Sequence, residues 1–587
     1  MKQPVRSSLL LLFIALLAAC GQSEDAPSAT ATQDPASETP APATAPETPP
    51  FTAANLAAAD MITGEAIRSV VAEIGSDAYE GRGPGSEGDT KARVWIAQKL
   101  EAMGYQPGAE DGSWEQPFDL VGINASQPEA WTFSSEGEDL KLIQSTEYIV
   151  GSGVQADSAV ITDSDLVFVG YGIQAPEYDW DDFKGQDLAG KTLVMLNNDP
   201  DWDDDLFAGN RRLYYGRWSY KYESAARQGA AGAIIIHTDP SAGYPWQVVQ
   251  TSWTGEQFEL PAGDEPRIQV AAWVTSEAAE KLVRFGGQDL TALIESAKTR
   301  EFEPVTLNLK TSINLPIEIS RVQSANVLGL LPGNDPELKD EVVVYTAHHD
   351  HLGIGLPNFA GDPEDRIYNG ARDNASGTGM VLAIAEAIAA TQPRRSILMA
   401  FVGAEEQGLL GSKFFAREPT FHPGKIAANI NFDSGNIWGV TSDITFIGKG
   451  KSSLDAVTAT VAERYDRTVL GDQFPDRGYF YRSDQFSLAK IGVPALYLSG
   501  GTTFVGQPEG WGATKIGEYT TRNYHQPSDE LTPDWNFDGM VADAQFGFWC
   551  GVITANADEM QSWNAGDEFE AARLEALAEA AEMSEGP

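Results

Sequence analysis

His348, Asp373, Glu405-Glu406, Asp433 and His525 stand in ascending order along the chain, and the first four of these stretches are read as following apolar β-strands. Two imidazoles and three carboxylates, with a spare glutamate beside a ligand glutamate, are what a pair of zinc ions and a general base require. Taken singly, each residue has a plain structural explanation: a solvated turn, a helix cap, a surface acid pair. Their joint placement beyond successive strands does not.

The strand Val342 to Ala347 delivers His348-His349-Asp350-His351, which holds three of the chain's six histidines. In an open α/β sheet, ligands gather past the carboxyl ends of strands, where His348 would meet a metal. Asp350, two residues on, is placed to accept the other ring N–H of His348 and fix its tautomer. Asp373 lies in Asn369-Gly370-Ala371-Arg372-Asp373-Asn374, just before a helix expected from about Thr378. There a carboxylate can bridge two cations, and the small residues Ala375 to Gly379 let backbone approach closely. Glu405-Glu406 follows the strand ending at Val402. Adjacent carboxylates repel, so a division of labour is expected, one binding metal and the other taking a proton from water. Asp433 follows the run Ile426 to Phe432, and His525 comes from the loop Asn523 to Asp529.

The elements that must position these residues are legible. Ile67, Val70, Val71 and Ile74 mark one helix, and Val94, Ile96, Ala97 and Leu100 a second. The glycine-rich turn Glu80 to Ser86 separates them. Later, β-branched apolar runs at Val342–Tyr345, Ile397–Val402, Ile426–Phe432 and Val493–Leu498 alternate with helical patterns such as Met380, Val381, Ile384 and Ile388. Strands with little internal alternation, separated by amphipathic helices, predict an α/β fold: a mostly parallel mixed sheet sandwiched between helices. Between about Asn124 and Ile317 the rhythm changes to glycine-bounded strands, including Leu166–Gly172, Lys191–Leu196 and Ala231–Ile236, which reads as an inserted, mainly β module. The acidic run Asp199 to Asp205 fits no known calcium loop and is read as a surface loop.

At 587 residues, 42% of them hydrophobic, the chain is expected to fold as more than one domain. Its net charge of −45 argues against a nucleic-acid partner and against a basic membrane-binding face. Lys2 and Arg6 precede the apolar run Leu9 to Leu17, too short to span a bilayer and matching a secretory h-region. Leu17-Ala18-Ala19-Cys20-Gly21 resembles the bacterial lipobox, which implies lipidation at Cys20 and an exported lipoprotein of the cell envelope, in the outer membrane or periplasm of a Gram-negative cell. The membrane would then be met only through that anchor. Cys550 has no partner for a disulfide and is read as a core filler.

The residues quoted resemble the M28 family of zinc peptidases. Gly81-Arg82-Gly83-Pro84-Gly85 is similar to that family's N-terminal signature, and Ala347 to Gly353 to its first metal motif. The resemblance implies the zinc exopeptidase fold and two Zn2+ per chain, with Asp373 bridging, His348 and Asp433 completing one site, and Glu406 and His525 the other. It further implies Glu405 as general base and Tyr524 as an oxyanion donor. Peptides with a free N-terminus are the expected substrates; a carboxypeptidase or dipeptidase using Arg372 or Arg482 as a carboxylate clamp is the alternative. A glutaminyl cyclase or a non-catalytic receptor-like homologue fits less well, the latter because all five ligands are present. The insert resembles a protease-associated (PA) domain through Val169–Ile173 and Lys191–Val194. The expected organisation is a signal peptide at 1–19, an Ala/Pro/Thr linker at 20–52, peptidase parts at 53–123 and 318–560 around an insert at 124–317, and an exposed acidic tail at 561–587.

Overall fold

The computed structural model describes residues 50–203, 206–355 and 364–585. The expected signal peptide, Cys20 and nearly all of the linker lie outside them.

Strand β1 (Glu115–Ala125) runs antiparallel to the second half of β2 (Val305–Leu331), whose end pairs antiparallel with β4 (Ser396–Val402). From β4 the order continues through β3 (Val342–His348), β5 (Ile426–Phe432) and β7 (Ala495–Gly500), all parallel. An antiparallel strand, β6 (Asp443–Ile447), lies beyond β7. The sheet is therefore mixed with a parallel centre, as the apolar runs predict. Its centre is buried on both faces. Val343, Tyr345, Ala347, Ile397 and Met399 pack into one core with helices α1 (Gly64–Ile74), α4 (Gly377–Ala389) and α6 (Asp538–Asn556). Their neighbours Val342, Val344, Leu398 and Ala400 pack on the other face with Phe415 and Leu488. Successive side chains on a strand point to opposite faces, so a continuous apolar run is what a doubly covered sheet demands.

A second sheet is built from Ser158–Phe168, Thr192–Leu196, Gly232–His237 and Val270–Thr275, parallel in that order, edged by Tyr148–Ser152 and by the first half of β2. Parallel neighbours need crossovers. Two of these carry helices: Trp218–Arg227, where the sequence from Tyr222 to Arg227 already has a helical pattern, and α3 (Trp246–Ser252), which the glycine-bounded strands do not suggest. The expected junctions at 123–124 and 317–318 fall inside β1 and β2, and β2 runs from the second sheet into the first without a break.

Three local readings are corrected. In α2 (Glu87–Ala102), Ile96 and Leu100 are buried but Val94 is 47% exposed. The C-terminal segment is not an exposed tail: in α7 (Glu570–Glu585), Ala576 and Ala580 are buried. Arg573 is 1% exposed and donates to the carbonyls of Pro423, Ile426 and Gln561. An alanine face and one buried arginine dock a helix whose composition alone looked solvated. In the acidic run, Asp201 is exposed but Asp199 is buried, accepting from the Leu213 amide. Cys550 is fully buried in α6.

Candidate metal centre

Strands β3, β4 and β5 end side by side, and four of the expected residues leave them there. His348 is the last residue of β3, Glu405 and Glu406 turn off just beyond β4, and Asp433 is the first residue after β5. Asp373 departs from the expected pattern. It follows only the two-residue strand Ile367–Tyr368 and sits in an irregular turn opening α4. His525 follows α5 (Trp511–Arg522).

The turns are tightly braced. Ala404, Ser434 and His525 all have φ between 55° and 70°. Non-glycine residues in the left-handed region cost about 1–3 kcal/mol each and persist where surrounding structure dictates them. Gly370, with φ 54°, takes that conformation freely, and a Cβ there would lie 2.5 Å from the His351 ring. Asn374 joins two ligand turns, donating to the Phe432 carbonyl while its own carbonyl oxygen accepts from the amides of Gly377 and Ser434. Asp529 joins another pair, since its carboxylate accepts from the amides of Arg372 and Asp373 four residues beyond His525.

All five expected ligands converge. Asp373 lies between the imidazoles: Oδ1 is 3.3 Å from His348 Nε2 and Oδ2 is 3.4 Å from His525 Nε2. Asp433 Oδ1 is 3.6 Å from His348 Nε2, and Glu406 Oε2 is 2.9 Å from His525 Nε2. The Glu405 carboxylate stands further off, 4.0 Å from His348 Nε2. His348, Asp373 and Asp433 offer ligand atoms within 4.8 Å of one another, as do His351, Asp373 and Glu406.

The electrostatics match such a cluster. Burial alone would lower the His525 pKa, but Glu406 and Asp373 lift it to about 10. His348 is also raised, the carboxylates of Glu405, Asp350, Asp373 and Asp433 outweighing its burial. Asp373 is buried, yet the two imidazoles hold it well below the usual carboxylate range. Burial pushes Glu405 well above that range. The raised imidazoles and the raised Glu405 mark a pocket with an excess of acid, which a pair of divalent ions would balance. The donor set fits that group on one further observation: His525 Nε2 is buried 2.9 Å from Glu406 Oε2 and 3.4 Å from Asp373 Oδ2, yet neither approach has the alignment of a hydrogen bond.

The Asp350 expectation is adjusted. Its carboxylate is 3.7 Å from His348 Nδ1, which lies nearer the Asp350 carbonyl at 3.3 Å. The carboxylate instead accepts from the amides of Glu405, at 3.0 Å, and Glu406, at 3.4 Å. Those amides lie past the end of β4 and need acceptors. Asp350 thus orients both glutamates.

Several functional residues were not assigned roles from sequence. His351 Nδ1 sits 2.6 Å from Glu406 Oε1 and leaves Oε2 for His525. Arg82, fully buried, donates to the carbonyls of Ile74, His349, Asn369 and Gly370, locking the turns before His351 and Asp373. His349 points away, to Asp89, at 2.9 Å. The only advance signal was the signature turn and the density of histidines.

A cavity of about 150 Å³ opens beside the cluster, walled by Trp438, Tyr479, Tyr497, Phe504, Ile516 and Tyr519. Glu405 and Tyr524 line it too. The Tyr524 ring lies 4.0 Å from that of His525, and burial holds its phenol protonated well above the ordinary range. Arg372 reaches the same cavity, its guanidinium stacked 4.1 Å over Tyr519 and 5.0 Å over Trp438.

Residues 326–548 match the family described as Peptidase family M28. Leupeptin-inactivating enzyme 1 of Streptomyces exfoliatus is 28% identical over 213 residues, 35% of this chain and 43% of that protein. A probable zinc metalloprotease of Pyrenophora teres f. teres (strain 0-1) is 29% identical over 145 residues, 25% of this chain and 26% of that protein. The chain thus spans less than half the length of these curated relatives. The solved structure of an aminopeptidase from Aneurinibacillus sp. strain AM-1 shares the fold, at 17% identity and a TM-score of 0.50, covering 87% of this chain and 97% of that one.

Proposed function

We propose that this chain, an M28-type zinc metallopeptidase by its segment 326–548, is a two-zinc exopeptidase that removes N-terminal residues from peptides. The observation that carries the reading is the Asp373 carboxylate set between two imidazoles, each with a further carboxylate beside it. His348 and Asp433 would hold one ion, Glu406 and His525 the other, and Asp373 both. Bound zinc supplies Lewis acidity, lowering the pKa of a water toward about 7 and polarising the scissile carbonyl.

Glu405 stands furthest from the imidazoles and faces the cavity, so it is the carboxylate free to take the proton from attacking water and pass it to the leaving amine. The protonated Tyr524 phenol is the donor for the developing oxyanion. Spare acid at the site suits a substrate's α-ammonium, and the aromatic wall suits an apolar side chain. The insert, PA-like in our reading, restricts entry to chain ends. The lipid anchor at Cys20 and an envelope location complete the proposal and rest on residues 1–21 alone.

One observation favours the alternative. The Arg372 guanidinium has no carboxylate within ion-pair distance among the described residues, and with Arg482 it lines the cavity, where it could hold a substrate's C-terminal carboxylate. Peptides blocked by N-acetylation or by C-amidation separate the two. The aminopeptidase reading expects cleavage of C-amidated peptides and none of N-acetylated ones; the reverse pattern overturns it.

A further inference from the structure

Imidazoles that ligate metal through one nitrogen are held in place through the other, and the two metal-site histidines differ in what holds them. His348 Nδ1 is met by the Asp350 carbonyl, two residues along its own turn. His525 Nδ1 is met at 2.8 Å by the hydroxyl of Ser252, 273 residues earlier in the chain. Ser252 is the last residue of α3, which belongs to the inserted layer. We propose that Ser252 is a positioning residue for the zinc half-site of His525 and Glu406, so the insert completes one metal site and not the other. The inference rests on the two-zinc reading above.

A ring whose Nε2 faces a cation carries its proton on Nδ1, so His525 donates and the Ser252 hydroxyl accepts. The bond fixes both tautomer and ring rotation, which matters because His525 itself sits at φ 56° on a loop. Glu406 and Asp373 meet the ring only at Nε2, and its remaining contacts are with the Tyr524 ring and the edge of His351. The two ring contacts do not tell one nitrogen from the other, and at Nδ1 the Ser252 hydroxyl is the hydrogen-bond partner.

Ser252 is a rigid platform. The Trp246 indole and the Gln250 amide both donate to the Ser145 carbonyl, and Val248 and Val249 are buried in the insert. The same helix makes a second bond to the ligand loop, from Gln247 Nε2 to Gln526 Oε1 at 3.1 Å. One short helix therefore touches two consecutive residues of the loop that carries the last ligand. No hydrogen bond or ion pair joins the insert to His348 or Asp433 among the described residues, so removing the hydroxyl should affect the two ions unequally.

The test is a zinc titration of the full chain in metal buffers, counting bound ions across graded free zinc. Wild type is expected to bind two. Ser252→Ala is expected to retain one at wild-type affinity and to bind the second about tenfold to a hundredfold more weakly. Ser252→Thr and Ser252→Val, matched in shape and differing in the hydroxyl, should fall on opposite sides of that difference. Two ions at wild-type affinity in Ser252→Ala, equal weakening of both, or no difference between the Thr and Val variants would each overturn the proposal. Fewer than two ions in wild type would overturn the two-zinc reading itself.

Discussion

Replacing Arg82 with methionine removes the donors for four buried carbonyls while keeping most of the side-chain volume. Those carbonyls, of Ile74, His349, Asn369 and Gly370, are 2.6–3.0 Å from the guanidinium. An orphaned buried acceptor costs about 1–3 kcal/mol, so the low end summed over four sites is about 4 kcal/mol. Some of this returns because an expensive buried cation is removed: burial pulls the Arg82 pKa down to about 10, with the nearby carboxylates resisting. A net loss of about 2–4 kcal/mol is expected, a large share of the roughly 5–15 kcal/mol that holds a native domain together. The damage should also reach the metal centre, because the freed carbonyls flank the turns carrying His348, His351 and Asp373. Urea unfolding gives the stability change, and zinc content after dialysis gives the consequence for the site. Arg82→Lys, with three donors, should fall between. A midpoint within about 0.5 kcal/mol of wild type, with zinc content unchanged from wild type, would refute the account of Arg82 as the clasp of these turns.

Glu405→Gln should lower kcat by roughly 10²- to 10⁴-fold with zinc content unchanged, and near-normal turnover of amino-acyl anilides would remove Glu405 from its role. His351→Ala frees Glu406 Oε1, and zinc affinity measured by calorimetry should fall about tenfold to a hundredfold; unchanged affinity would mean that Glu406 needs no such support. Lys221, fully buried in the insert, gives a pH signature: burial pulls its ammonium down to about 7 although Asp199 and Asp182 favour the charge. Between that value and 10.5 the unfolded chain binds the extra proton, so this residue makes stability rise with pH by at most about 1.4 kcal/mol per unit. Urea midpoints at pH 8 and 9.5 should rise in wild type relative to Lys221→Met, and parallel trends would sink the argument.

How much of this was legible in the sequence depended on distance along the chain. The parallel centre of the sheet was readable because a doubly buried strand is apolar at every position, as in Val342–Ala347 and Ile397–Val402. His348, Glu405, Glu406 and Asp433 were readable because a ligand just past such a strand has a local sequence context. Asp373 stands just before a helix, as expected, but the strand expected to deliver it is only the two residues Ile367–Tyr368, so its placement depends on an irregular turn. The docked C-terminal helix was misread because its burial depends on Arg573 reaching carbonyls about 150 residues away, which alanine and glutamate periodicity does not encode.

The residues that escaped assignment share one property: each acts on a ligand through a contact that sequence order hides. Arg82 meets Asn369 across 287 residues, and Ser252 meets His525 across 273. The two classes also differ in how they can fail. A residue holding its ligand from a neighbouring strand end of the same sheet, as Asp350 beyond β3 holds Glu405 and Glu406 beyond β4, moves with the sheet and keeps its geometry whenever the sheet folds. A residue holding its ligand from another layer keeps it only while the layers stay docked. By that reasoning the half-site of His348 and Asp433 is as stable as the parallel sheet, whereas that of His525 and Glu406 is only as stable as the contact between α3 and the loop after α5. If one ion is lost first on warming or on mild chelation, it should be the latter.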